Sequence, residues 1–187
     1  MHIAVEFVIL ITSLIPSNTE LLWQACEGHQ EIQTVQIESL SIHPNPVIVS
    51  HSIKVHLQVV VKEDLSGKVN VSLETSGVVS FISLRFLCIE GYGSCKYEDV
   101  CHNSEIQWQI NCIDGVLKAG TYNVKKTIKL PTMVEVLASM YRTFSTSVLI
   151  TNDKEVVGCY TVTVSSNSRF GLWHKLFNRT TYNELFG

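Results

Sequence analysis

The sequence predicts an all-β protein, an immunoglobulin-like β-sandwich of two antiparallel sheets. Three observations carry that expectation. Apolar and polar residues alternate with period two in nearly every segment between residues 31 and 166. About eight such segments follow one another at sandwich spacing, divided by Gly, Asn, Asp and Pro. No βαβ pattern and no helical repeat competes with them.

Taken in order, Glu31 to Ile42 reads as the first strand. Val35 and Ile37 share a face, and Leu40 and Ile42 are out of phase with them, which points to a β-bulge. Pro44 and Pro46 each lack a ladder donor, so that stretch belongs at an edge or turn. Ile53, Val55, Leu57, Val59 and Val61 alternate with Lys54, His56 and Gln58 as a half-buried strand. Asp64 to Gly67 has turn composition. Val69, Val71 and Leu73 form the next inward row, with Asn70 and Ser72 outward. Val78 to Cys88 continues the pattern, with Ile82, Leu84, Phe86 and Cys88 on one face. Ile106, Trp108, Ile110 and Cys112 make another row, then Tyr122, Val124, Ile128 and Leu130. Phe144–Thr151 and Val156–Val164 are two last strands, joined by a turn at Asn152-Asp153-Lys154.

One segment breaks the period. Thr132 and Glu135 fit a capping box. Met133, Val136, Leu137 and Met140 recur at helical spacing after Pro131. This short amphipathic helix, Met133 to Tyr141, either packs on its own core or forms an apolar lip over a cavity mouth. Methionine suits the second role, being adaptable to irregular apolar ligands.

The 187 residues suffice for one domain with extensions, 17% charged and 45% apolar, so the chain buries a sizeable core. A net charge of −3 gives no basic footprint for nucleic acid. Residues 1–17 read as a signal peptide with an end as late as about residue 25, although Glu6 interrupts it and no Lys or Arg precedes Phe7-Val8-Ile9-Leu10-Ile11. That run is too short to span a bilayer. The domain is expected over residues 26–166. The remaining 167–187 tail mixes Phe170, Leu172, Trp173, Leu176 and Phe177 with Arg169, His174, Lys175 and Arg179. It fits a membrane-surface segment, a cover for an edge strand or a disordered end. Asn70-Val71-Ser72 and Asn178-Arg179-Thr180 are glycosylation acceptors, relevant in a secretory compartment.

Six cysteines, an even number, agree with secretion. Three lie within Cys88-Ile89-Glu90-Gly91-Tyr92-Gly93-Ser94-Cys95-Lys96-Tyr97-Glu98-Asp99-Val100-Cys101. Gly91 and Gly93 supply the positive φ of a short closed loop, which suits a Cys88–Cys95 bridge. Cys101 then reaches most simply to Cys112, and Cys26 remains for Cys159. Fifteen connectivities exist for six cysteines, so the pairing is an expectation. A metal site is the competing reading, weakened by the lack of any Cys-x-x-Cys and of His at ligand spacing.

The order Cys-x6-Cys-x5-Cys, with Gly93-Ser94 before the middle cysteine and an aromatic-acidic pair after it, resembles the ganglioside GM2 activator family. Ile37-Glu38-Ser39-Leu40-Ser41-Ile42-His43-Pro44-Asn45-Pro46, Gly120-Thr121-Tyr122 and Gly158-Cys159 agree in order and spacing. The resemblance runs from about Cys26 to Ser166 and implies an ML (MD-2-related lipid-recognition) domain, a sandwich holding lipid between its sheets. That family has one more disulfide in the loop after the third cysteine. This chain has no cysteine left for it, and its Asn103–Leu117 segment is shorter.

Two packed sheets normally lie about 10 Å apart. If they splay at one end, the inward rows line an apolar slot, and an inserted acyl chain gains about 0.8 kcal/mol per methylene. The expected lining is Val55, Leu57, Val59, Ile82, Leu84, Phe86, Trp108 and Ile110, with Val134, Val136, Leu137 and Met140 at the lip. No catalytic residue is expected. The chain has no Gly-x-Ser-x-Gly elbow, His43, His51, His56 and His102 sit in loop or strand-exterior contexts, and the adjacent Glu98 and Asp99 would face opposite ways on a strand. Only a carboxylate pair assembled from distant positions stays open to an enzyme reading. The expected function is a secreted or lysosomal lipid carrier, without cofactor or metal, that lifts a glycosphingolipid from a membrane and presents it to a soluble glycosidase. A sterol or phospholipid carrier and an innate-immune lipid-recognition protein are alternatives within the fold. An adhesion domain with a filled core is the alternative outside it.

Overall fold

The computed structural model describes residues 21–29, 33–48, 51–79, 82–102, 110, 112–131, 135, 138 and 140–166. Among the described residues eleven strands run in chain order. They are β1 (Leu22–Ala25), β2 (Val35–His43), β3 (Ile53–Val61), β4 (Val69–Val79), β5 (Ile82–Arg85), β6 (Lys96–Tyr97), β7 (Cys112–Ile113), β8 (Val116–Leu117), β9 (Gly120–Ile128), β10 (Thr143–Asn152) and β11 (Glu155–Ser165). One sheet runs β1-β11-β10-β4-β5, with β6 also paired to β4. The other runs β2-β3-β9, and β7-β8 is a separate ribbon. Every pair of neighbouring strands is antiparallel.

The phase slip in β2 is a bulge. Ile37 pairs with Val59 and Ser39 with Gln58, leaving Glu38 as the extra residue. The slip returns Leu40 and Ile42 to register with Leu57 and Val55, so both halves of β2 serve the same interior. The predicted strand Val78–Cys88 is instead split. Val79 ends β4, and β5 folds back on it with Val78 opposite Ser83. Of the predicted strand from Ile106 to Cys112, residues 103–109 and 111 lie outside the described residues. From Cys112 the chain forms a β7-β8 hairpin whose turn residues Asp114 and Gly115 have φ of 51° and 76°. Asp-Gly between short apolar pairs is a strong hairpin signal that the period-two reading passed over.

The core gathers at one end. Val35, Val61, Leu65, Val69, Val71, Val100, Leu117 and Val157 are all buried and form one cluster. The sheets nearly touch there. A Cβ on Gly158 would stand 3.0 Å from the Val35 carbonyl oxygen, so β11 approaches β2 this closely only because the position is glycine. Beside it the Tyr160 hydroxyl donates to the Val35 carbonyl at 3.1 Å and accepts from the Ile37 amide at 3.2 Å. Burial holds that phenol above its ordinary pKa, and the Ile37 hydrogen bond offsets part of the rise. Buried Gln33 donates to the Cys159 and His29 carbonyls and closes the same corner.

Three disulfides staple the sandwich: Cys26–Cys159, Cys88–Cys95 and Cys101–Cys112, with no free cysteine. The first spans a sequence separation of 133, tying the start of the core to β11. Cys101 and Cys112 pack against the buried cluster. Beyond the end of β2, the His43-Pro44 and Asn45-Pro46 peptide bonds are cis. The chain then leaves the three-stranded sheet, and the Val47 amide donates to the Ser165 carbonyl at 2.9 Å. The proline stretch therefore crosses from one sheet to the other along the side of the sandwich.

Candidate functional site

At the end away from the buried cluster the sheets separate around a cavity of about 250 Å³. Its walls come from the ends of several strands. Ile42, Ile53, Val55 and Ile128 face it from the three-stranded sheet, and Thr75, Phe144 and Val164 from the larger one. Val47 of the proline crossing closes one side, and Leu130 and Ala138 close another. Phe86, Phe144 and Tyr141 pack against each other with ring centroids 4.8 to 6.1 Å apart, which holds Phe86 and Phe144 in the wall.

The Cys88–Cys95 loop forms the rim. Glu90 and Gly91 both have positive φ, 51° and 81°, and Ile89 and Tyr92 exchange backbone hydrogen bonds of 2.8 and 2.9 Å across that turn. The tight turn keeps Ile89 and Tyr92 side by side, and both line the cavity together with Leu87. Gly93 has φ 98°, and a side chain there would run into the Leu87 carbonyl. The strain is thus assigned to a residue that tolerates it.

The interior is dry in character. Only Thr75 and Tyr92 among the lining residues carry a side-chain oxygen. The Thr75 hydroxyl bonds the Gly93 carbonyl at 3.2 Å and the Thr146 hydroxyl at 3.1 Å. The Tyr92 hydroxyl points outward to the Lys129 carbonyl at 3.4 Å. Among the described lining residues neither side-chain hydroxyl needs water as a partner, so an apolar occupant displaces no hydrogen bond of theirs on entering. Among the described residues no group of three or more His, Cys, Asp or Glu can hold a metal ion.

The predicted lining residues fall in different places. Val55 and Phe86 face the cavity. Val59 and Ile110 pack against the buried cluster at the other end. Leu57 is on the same face of β3 as Val55 but is not among the cavity-lining residues, and it borders a second, more polar pocket with His56 and Gln58. Ile82 and Leu84 are 62% and 49% exposed and lie outside the cavity wall. Their strand β5 is a sheet edge, and the opposing sheet is only three strands wide, so none of its strands reaches over them. Trp108, Val134, Val136 and Leu137 are outside the described residues, as is Asn178. In the helical segment, Glu135 and Ala138 are helical and Met140 is half-buried. The Glu135 amide donates to the Pro131 carbonyl at 2.9 Å, and Ala138 is buried in the cavity wall. Asn70 is half-buried, and its side-chain oxygen accepts from the Asp99 amide at 2.9 Å.

The reading by alternation missed Leu87, Ile89 and Tyr92, because a loop has no period. Their signal was available in another form: large apolar residues spaced between cysteines that close a small ring. It also missed Ile42, Val47, Phe144 and Val164, which alternation marks as apolar without saying which end is open.

A two-sheet antiparallel sandwich with an apolar cavity opening at one end defines a class of carrier-like binding domain. The sequence profile of the ML domain matches residues 20–166, most of the chain, and the chain belongs to that family, whose members are lipid-binding proteins and not enzymes. The chain is 29% identical over 79 residues to the ganglioside GM2 activator of Mus musculus, a stretch that covers 42% of this chain and 40% of that protein. It therefore spans less than half the length of that relative. A Niemann-Pick type C2 protein from Japanese carpenter ant overlays with a TM-score of 0.49 at 14% identity, over 78% of this chain and 98% of the other. Chicken MD-1 complexed with lipid IVa overlays with a TM-score of 0.42 at 18% identity, over 79% and 90%.

Proposed function

We propose that this protein binds a membrane lipid by taking an acyl chain between its sheets, carries it through water, and presents the exposed headgroup of a glycolipid to a soluble hydrolase. The observation that carries the proposal is the apolar cavity of about 250 Å³ whose rim residue Leu87 is 76% exposed. That volume is slightly below the ~300–1,000 Å³ of drug-sized pockets, so it suits a length of single chain and leaves a headgroup outside. Each methylene inserted gains about 0.8 kcal/mol. Exposed Leu87, Ile82 and Leu84 give the open end an apolar surface that supports contact with a bilayer during loading. The likeness to the mouse activator supports the presentation step. The three disulfides fit an oxidising compartment, secreted or lysosomal.

Native mass spectrometry of the purified protein, with transfer of lipid out of liposomes, tests the reading. The expected result is a co-purifying acyl lipid, and transfer that falls about tenfold or more in Val55→Phe, where the added ring occupies the cavity of a protein that still folds. A parent protein that carries no lipid and transfers none overturns the proposal, and a bound mass in the sterol range redirects it to sterol carriage.

A further inference from the structure

We propose that the lipid carries an anionic headgroup, phosphate or carboxylate, held at the cavity mouth by the ammonium group of Lys126. The inference rests on the lipid-binding reading above and names the ligand class within it. On β9 the register sets Val124 opposite Leu57, Lys126 opposite Val55 and Ile128 opposite Ile53. Cross-strand partners project to the same side of a sheet. Val55, Ile53 and Ile128 all line the cavity, so Lys126 stands in the cavity-facing row, the one charged residue among Tyr122, Val124, Ile128 and Leu130. Because β9 is the edge of its sheet, a side chain in that row reaches solvent, and Lys126 is exposed. A lysine there lays its methylene stem along the apolar wall and places its charge at the opening.

The surrounding charges leave that ammonium available. Among the described residues the ion pairs are Arg85–Glu74, His102–Asp99 and Lys118–Asp64, and Lys126 is in none of them. Lys129 follows on the same rim, with its carbonyl bonded to the hydroxyl of the cavity residue Tyr92. Lys54 and Arg142 also lie at this end, opposite Thr127 and beside the start of β10. Of the carboxylates at this end, Glu74 is already paired with Arg85, leaving Glu90 and Glu135. Among the described residues Glu63, Asp64, Asp99 and Asp153 lie at the far end. The net charge of −3 therefore conceals a positive mouth, which draws in an anionic group and holds it where the acyl chain enters. An inward-pointing lysine on an edge strand also discourages edge-to-edge pairing. That role predicts no headgroup preference, which makes the two separable.

The test compares dodecanoyl lysophosphatidic acid with monododecanoylglycerol, each below its micelle concentration, by titration calorimetry on the full chain. Monomeric lipid removes any contribution from a charged bilayer. The expected result is about tenfold tighter binding of the anionic lipid, a difference of about 1.4 kcal/mol. Lys126→Gln is expected to abolish the preference while leaving the neutral lipid's affinity unchanged. Lys126→Arg keeps the preference, and Lys154→Gln at the opposite end does not alter it. Inorganic phosphate at millimolar concentration is expected not to displace the anionic lipid; displacement would mean a free-phosphate site unconnected with the cavity and would overturn the proposal. Equal binding of both lipids, or a preference that survives Lys126→Gln, also overturns it and leaves Lys126 as an edge guard. Binding of neither lipid by the parent chain removes the lipid-binding reading itself, and this proposal with it.

Discussion

Val35, Val61, Val69 and Val157 meet at one end of the sandwich, and the same four strands carry Ile42, Val55, Thr75 and Val164 at the other. The residue types hardly differ, yet the first set is buried and the second borders a void. The closed end is drawn together by the Gly158 approach and by the hydrogen bonds of Tyr160 across the sheets, and the Cys26–Cys159 and Cys101–Cys112 bridges secure the segments around it. The open end has the single Cys88–Cys95 bridge, which shapes a rim loop and joins nothing across the gap. Hydrophobic side chains do not by themselves close a sandwich. The close backbone approach at Gly158 and the Tyr160 hydrogen bonds fix the sheet separation at that end.

The largest expected effect comes from breaking the closed end. Replacing Cys26 and Cys159 together by Ser removes a tie across a separation of 133 and is expected to cost about 5 kcal/mol in the chain-entropy model, read by urea denaturation. A loss under about 1 kcal/mol would show that the closed end does not depend on that bridge.

Truncation at the two ends sharpens the comparison. Leu65→Ala, in the buried cluster, is expected to cost about 2–5 kcal/mol. Val164→Ala is expected to cost about 1 kcal/mol or less, since its neighbour on one side is already empty space. Equal losses would mean that both ends are packed alike.

At the rim, Leu87→Ser touches a side chain that is 76% exposed and should change stability by no more than about 0.5 kcal/mol. Lipid transfer from liposomes should fall roughly fivefold, because a leucine entering the bilayer contributes apolar burial only on docking. Unchanged transfer would move the membrane contact elsewhere.

The smallest effect is electrostatic and belongs to the closed end. Asp64 accepts from the Ala119 amide and pairs with Lys118, and these hold its carboxyl below the ordinary 3.8. The charged form is favoured by folding, so Asp64 adds stability above its ordinary pKa and loses it as pH falls through the lower folded value. Asp64→Asn should lower stability slightly near neutrality and shallow the acid limb of the profile below about pH 4, so that the two proteins converge in acid. A carboxyl that titrates at its ordinary value by NMR would contradict this.

The legible parts were those governed by neighbours in sequence. The alternation in β3, β9 and β10 marked strands because successive side chains on extended backbone point to opposite faces. The phase slip at Glu38 marked the bulge for the same reason. Ile82 and Leu84 were assigned inward by parity, and their exposure follows from β5 overhanging a narrower sheet, a fact about strand order. Ile89 and Tyr92 escaped because a disulfide loop, with positive φ at Glu90 and Gly91, aims side chains by closure and not by period.

The sequence by itself determined that this chain makes strands, that their apolar rows face one another, that six cysteines are available as staples, and that its motifs resemble lipid-recognition domains. Local backbone geometry and side-chain chemistry suffice for each of these. The tertiary structure alone decided which end of the sandwich is closed, that the Cys88–Cys95 loop forms the cavity rim, and that the row containing Lys126 runs along the cavity wall. Each of these depends on contacts between segments far apart in the chain, and the spacing of two sheets is written in no single stretch of residues.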